Sequence, residues 1–175
     1  MATERQVVEQ LVHDYGTRLY TFCRRLAFTP GDADDLYQQT YLRILDMKGT
    51  LDLSHNPAGF LMSVATRLWS DERRKFARRQ RIAPLHYNNA QMNEVPDEKS
   101  TERMVEQQQT QIELREAVQQ LSDALRVPVL LYYMGDMSVQ DISSALRIPQ
   151  GTVKSRLHQA RQKLKLRLEE SGYDG

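Results

Sequence analysis

The chain has 175 residues, enough for one ordinary domain or two small ones. A formal net charge of +1 excludes a chain that attracts nucleic acid by bulk charge, so any such partner has to be met by a local patch. Cys23 is the single cysteine, which excludes an intrachain disulfide and a cysteine-rich zinc site. No signal peptide is evident and no apolar run reaches the ~18 residues of a membrane helix, so a soluble, cytoplasmic protein is expected.

Taken in order, the first element is a helix. Val7, Val8, Leu11, Tyr15, Leu19, Phe22 and Leu26 recur at helical steps and form one apolar stripe. Cys23, beside Leu19, Phe22 and Leu26, is expected to be a core thiol. Thr29-Pro30-Gly31 breaks this helix. Asp32 then caps a second one, which carries Leu36, Thr40, Leu42, Ile44 and Leu45. Asp32, Asp34 and Asp35 favour its N-terminus by roughly 0.3–1 kcal/mol each. Capping leaves unexplained the polar face beyond them, where Asp35, Gln38, Gln39 and Arg43 can meet another protein. A polar loop from Gly49 to Pro57 follows. The third helix starts near Pro57 and runs through Phe60, Leu61, Val64, Ala65 and Leu68 into a basic block. That block, Arg67 to Arg81, holds seven Arg/Lys against Asp71 and Glu72. Trp69 lies in it, with a core role and a base-stacking role both open.

From Ile82 to Thr110 the periodicity lapses. Pro84, Asn88-Asn89, Pro96 and a Gln-rich run read as a linker that is extended or disordered when alone. From Gln91 to Glu106 five acids stand against Lys99 and Arg103, a composition that avoids duplex DNA. Helices resume from about Ile112 to Leu121, and again from Ser122 to about Met134, where Pro128 is expected to kink the helix. The architecture is therefore all-α: two small helical domains, 1–81 and 111–175, joined by a linker at 82–110.

The last segment, Ser138 to Leu164, reads SVQDISSALRIPQGTVKSRLHQARQKL, a helix-turn-helix. Ser138 and Asp141 form a capping pair, with Asp a shorter stand-in for Glu. Ile142, Leu146, Ile148 and Val153 close the angle between the helices, and Pro149 suits an early helical position. Arg147 takes the turn position where Gly is usual, so a left-handed backbone there costs roughly 1–2 kcal/mol. In the second helix Val153, Leu157, Ala160, Leu164 and Leu168 form an apolar stripe. Lys154, Ser155, His158, Gln159, Arg161 and Lys165 point elsewhere, and six Lys/Arg with no acid occupy 150–167. One greasy face and one acid-free basic face suit the major groove of DNA.

DADDLYQQTYLR (32–43) resembles the region 2 helix that bacterial sigma factors press against the clamp helices of RNA polymerase. FLMSVATRLWSDERRK (60–75) is similar to the promoter-melting and near-start recognition segment, and LRVPVLLYYMGDMSVQDISSALRIPQGTVKSRLHQAR (125–161) resembles region 4. The order and brevity of the two domains are similar to those of the extracytoplasmic-function (ECF) sigma factors. This resemblance implies a core-polymerase contact through Asp34, Asp35, Leu36, Gln38, Gln39 and Arg43, with Leu36 mostly structural. It implies near-start element contacts at Arg67, Trp69, Ser70, Asp71, Arg73, Arg74 and Lys75. Lys154, Ser155, His158 and Gln159 would face upstream-element bases, with Thr152, Arg156 and Arg161 nearer phosphate. The implied partners are the polymerase core (clamp helices and flap), promoter DNA and a cognate anti-sigma factor. The free chain would be a monomer without membrane insertion, cofactor or catalytic residues.

Two other classes fit less of the chain. A DNA-binding regulator outside the polymerase explains the helix-turn-helix but leaves the 32–43 helix idle. An enzyme is disfavoured because His13, His55, His86 and His158 lack metal-ligand spacing and no phosphate-binding glycine loop or nucleophile elbow occurs.

Overall fold

A computed structural model describes residues 3–47, 53–82, 102–170 and 172. Among them it places seven helices: α1 (Glu4–Leu26), α2 (Pro30–Asp46), α3 (Pro57–Ile82), α4 (Glu102–Gln119), α5 (Asp123–Tyr133), α6 (Val139–Leu146) and α7 (Gln150–Glu170). Helices α1 to α3 pack on one another as a first body; α7 packs on α4, α5 and α6 as a second.

The expected stripe of α1 is its buried face: Val8, Leu11, Leu19, Phe22, Cys23 and Leu26. Thr3 starts the helix by accepting from the Gln6 amide, while Gln6 Oε1 accepts from the Thr3 amide at 2.8 Å. Gly16 lets α2 approach, since a Cβ there would sit 3.0 Å from the Tyr37 hydroxyl. In α2 the cap differs from expectation. Thr29, not Asp32, is the N-cap: its hydroxyl accepts from the Asp32 amide at 3.1 Å, and Pro30 opens the helix instead of merely ending the previous one. Leu42 and Leu45 also depart from the expected core. They are 52% and 39% exposed, because the face that packs on α1 and α3 is set by Ala33, Leu36, Thr40, Tyr41 and Ile44.

The α3 helix runs unbroken through the basic block to Ile82. Asn56 starts it with a left-handed backbone (φ 48°), its Oδ1 accepting from the Gly59 amide at 3.1 Å. The linker is shorter than its composition suggests. Helix α4 begins at Glu102, so the Gln-rich run is helical, a state its Gln and Glu residues favour when the chain is anchored downstream. The rest of the linker reading, at 83–101, lies outside the described residues.

The helix-turn-helix forms as its sequence dictates. Ser138 Oγ accepts from the Asp141 amide at 3.0 Å and Asp141 Oδ2 accepts from the Ser138 amide at 3.3 Å, completing the capping box. Arg147 is left-handed at φ 57°, as expected. Ser143 offsets part of that strain by donating its hydroxyl to the Ile148 carbonyl at 2.6 Å, stitching the turn. Pro149 stands one residue before α7 and its carbonyl receives the Thr152 and Val153 amides. Val153, Leu157 and Ala160 are buried.

The two bodies are not apart. One apolar cluster runs from α1 to α3 into α5 and α6, so the described parts form a single packed unit.

Two outcomes are expected. Arg147→Gly should raise stability by about 1 kcal/mol in denaturant unfolding, since glycine takes a left-handed backbone without cost. Burial pushes the Cys23 thiol up to about 12, so alkylating reagents at pH 8 should modify it only at the rate of global unfolding.

Candidate polymerase and nucleic-acid interfaces

Three surfaces emerge from these elements. The first is the outer side of α2, where Asp34, Asp35, Gln38, Gln39 and Arg43 are exposed. Leu36 is buried, consistent with a structural role. Asp34 is already engaged, because the Tyr20 hydroxyl donates to its Oδ1 at 2.7 Å and that bond pushes the Tyr20 phenol up from its ordinary value. Leu42 and Leu45 stand four and seven residues beyond Gln38 and join the same face. A polar surface carrying two exposed leucines is what a helix-packing partner takes. Periodicity missed them, because at a glance both extend the stripe of the buried residues.

The second surface is α7. Thr152, Ser155, Arg156 and Gln159 share one row and line a shallow depression of about 510 Å³ closed by the start of α5. Lys154, His158 and Arg161 occupy the neighbouring row, following the i, i+4, i+7 positions. Arg161 is held: its Nε donates to the Tyr133 hydroxyl at 2.9 Å, and its guanidinium lies 5.5 Å from the Tyr132 ring centroid. That bond to Tyr133 is the main reason its guanidinium is pushed further up. The aromatic pair thus presets an arginine that would otherwise sample many rotamers.

The third surface is α3, and here the expected set divides. Arg67, Asp71 and Arg74 follow one exposed row, with Lys75 beside it and Ser70 half-buried. Arg67 and Asp71 border a groove of about 570 Å³ that continues to Arg43 and His55 and is closed by Asp141, Ser144 and Ala145 of α6. Trp69 and Arg73 turn instead toward the second body. Trp69 packs on the core, with the Arg73 guanidinium 5.1 Å from its ring centroid. Arg73 Nη2 meets Asp123 Oδ2 at 2.7 Å.

This junction contains groups that the sequence reading passed over. Arg126 is 1% exposed. Its Nη2 donates to the Leu26 carbonyl at 3.1 Å and meets Asp123 Oδ1 at 3.1 Å, while its guanidinium lies 4.7 Å from the Phe28 ring centroid and 5.9 Å from that of Trp69. Among the described residues its Nε has no hydrogen-bond partner. Burial pushes this guanidinium down from its ordinary value, with the Asp123 charge opposing. At the other end of α5, Asn56 Nδ2 donates to the Gly135 carbonyl at 2.8 Å, and Arg18 Nη2 donates to the Met134 carbonyl at 2.9 Å. The signal for Arg126 was its place as the lone charge in the apolar run LRVPVLL.

Among the described residues there is no group of His, Cys, Asp and Glu able to hold a metal, and no helix long and apolar enough to cross a membrane.

A helix-turn-helix body thus stands beside a three-helix body with a basic third helix. Residues 11–80 match the family described as Sigma-70 region 2, and residues 111–164 match Sigma-70, region 4. The chain is 26% identical over 175 residues to the ECF RNA polymerase sigma factor SigW of Bacillus subtilis, covering 94% of this chain and 90% of that one. It is 29% identical over 172 residues to the ECF RNA polymerase sigma factor SigL of Mycobacterium tuberculosis, covering 98% and 94%. The fold is shared with the sigma factor RpoE solved in complex with the anti-sigma factor NepR from Bartonella quintana (TM-score 0.74, 19% identity, 92% and 96% covered). It is shared too with CnrH in complex with the cytosolic domain of CnrY (TM-score 0.62, 16% identity, 95% and 90% covered). The chain belongs to the ECF group of RNA polymerase sigma factors. As such it binds the polymerase core and directs promoter-specific transcription initiation.

Proposed function

We propose that initiation is divided between the two bodies residue by residue as follows. The outer face of α2, through Asp35, Gln38, Gln39 and Arg43 with Asp34 behind them, docks on the polymerase clamp helices, and Leu42 and Leu45 add the apolar contact. Helix α7 enters the major groove of the upstream element. Lys154 donates to guanine O6 or N7 and Gln159 pairs with adenine, each good contact discriminating by about 1–3 kcal/mol. Ser155 and His158 complete the base-facing set, while Thr152, Arg156 and Arg161 fix register on phosphate. The α3 block, with Arg67, Ser70, Asp71, Arg74 and Lys75 outermost, follows the backbone of one strand near the start site. Trp69 and Arg73 join it when the second body withdraws. Residues 1–81 and 111–175 thus act as separate heads, and holding both on one polymerase raises their effective concentration so that weak contacts add.

The observation that carries this reading is the coexistence, in one chain, of an acid-free basic face on α7 and a polar face with exposed leucines on α2. The first serves DNA and the second serves protein; a regulator working without polymerase has no use for the second. The chain performs no bond chemistry and works in the cytoplasm as a monomer when free. An anti-sigma factor is a further partner, supported by the relatives solved with one. Run-off transcription with purified core and a genomic promoter library tests the assignment: starts sharing two spaced elements are expected, and unchanged start sites on adding the chain refute it.

Leu42→Asp should weaken binding to core polymerase by about tenfold or more, ~1.4 kcal/mol, in a fluorescence-polarisation titration, with little change in helicity. Lys154→Ala should relax preference at one upstream position by about 1–3 kcal/mol, whereas Arg156→Ala should weaken all promoters alike and lower the salt slope of binding by about one. Competition binding across single-base promoter variants at two or more salt concentrations separates the two patterns.

A further inference from the structure

Where α5 ends against α7, an aromatic pair meets one arginine. Arg161 Nε donates to the Tyr133 hydroxyl at 2.9 Å, and its guanidinium lies 5.5 and 5.9 Å from the Tyr132 and Tyr133 ring centroids. The two rings meet edge to face at 5.0 Å, with Tyr132 packed on the core and Tyr133 56% exposed. A phenol accepts with its oxygen and donates with its proton. Here the oxygen is taken, and among the described residues no acceptor takes the proton. Arg161 uses its inner Nε–H on the phenol, and among the described residues no ion pair holds its two outer nitrogens.

We propose that Tyr133 is itself a promoter ligand: its O–H and the outer N–H groups of Arg161 form one clamp on a single phosphate at the rim of the major groove. The inference deepens the reading of α7 as the groove helix and rests on it.

Position fits a phosphate better than a base. Arg161 lies seven residues beyond Lys154 on the same row, a rise of about 10 Å, comparable with the ~12 Å width of the groove. A helix whose Lys154 reaches base edges therefore brings Arg161 to the bordering backbone. The chemistry fits an anion. The hydrogen-bond partner of Arg161 is a neutral phenol, so the guanidinium keeps its charge for phosphate, whereas a carboxylate in that place would share it. Accepting a bond from a cation polarises the phenol and makes its proton a stronger donor. Tyr132, fixed by the core, holds the guanidinium beside its ring, so little rotamer freedom is left to lose on binding. One donor stands on α5 and the other on α7, so a clamped phosphate also sets the angle of α7 in the groove. A contact that served only to join the two helices would have no use for the exposed ring or the free proton.

The test uses holoenzyme, the full chain on polymerase core, and a duplex bearing the upstream element found by run-off transcription. Methylphosphonate linkages, which lack the phosphate charge, replace its backbone phosphates one at a time. Wild type should lose about tenfold in affinity at the clamped phosphate. Tyr133→Phe keeps the ring and its stacking and removes only the hydroxyl. It should weaken binding about fivefold on every sequence alike and shrink the penalty at that one phosphate. Arg161→Ala should remove most of that penalty and lower the salt slope of binding by about one. Tyr133→Phe added to Arg161→Ala should still cost about twofold, because the hydroxyl bonds phosphate directly. Urea unfolding establishes that each variant is folded. Unchanged affinity in Tyr133→Phe would overturn the proposal. So would a loss that leaves the pattern of phosphate penalties as in wild type, the mark of a structural joint. No added cost in the Arg161→Ala background would overturn it too, the mark of a residue that only positions the arginine. Failure of the groove-helix reading shows differently, as a wild-type holoenzyme whose sequence preference at the element survives Lys154→Ala untouched.

Discussion

A single buried guanidinium organises how the two halves of this molecule meet. Arg126 sits inside the most apolar helix of the chain, where an unpaired charge would be untenable. It is tolerable because three separate elements converge on it: the carbonyl that ends α1, the Phe28 ring in the turn to α2, and the Asp123 carboxylate one turn earlier on its own helix. The position of α5 against the first body follows from satisfying that one group. The burial of Trp69 and the pairing of Arg73 follow in turn.

The apolar surface between the halves is continuous, and apart from the buried Arg126 its ion pairs lie at the rim. Rim contacts of this kind contribute little individually, and salt screens them. A subunit that has to fit itself to the polymerase core is suited by an interface of modest strength. A core as tightly closed as that of α1–α3 would serve a single static shape. The division of labour is visible in side-chain chemistry: leucine and other aliphatic side chains inside each body, and arginine, asparagine and aspartate making the polar contacts between them.

Much of this was legible in the sequence. The stripes of α1 and α7, the Ser138 capping pair, the strained Arg147 and the unbroken basic helix follow from period and local chemistry, which act over a few residues. What escaped had one cause, dependence on partners distant in the chain. Leu42 and Leu45 fit a helical stripe, but only the packing of α1 and α3 decides which side of α2 is buried. Thr29 outcompetes Asp32 as a cap because the chain turns one residue before Pro30. The helical state of the Gln-rich run needs the anchored α4 behind it. Trp69 was left between two roles, and its place beneath Arg73 and Arg126 gives it a part in the contact between bodies that neither role included.

The early start of α4 has a mechanical consequence. From Glu102 to Gln119 the chain rises about 27 Å as a rod, at ~1.5 Å per residue, before it reaches α5 and the helix-turn-helix. A rod hands on torque as well as tension, which a slack tether does not. Rotation of the second body would therefore sweep the entry point of that rod through a wide arc. The angle of α7 and the direction of the chain at the start of α4 are geared together, because α4 packs on α7.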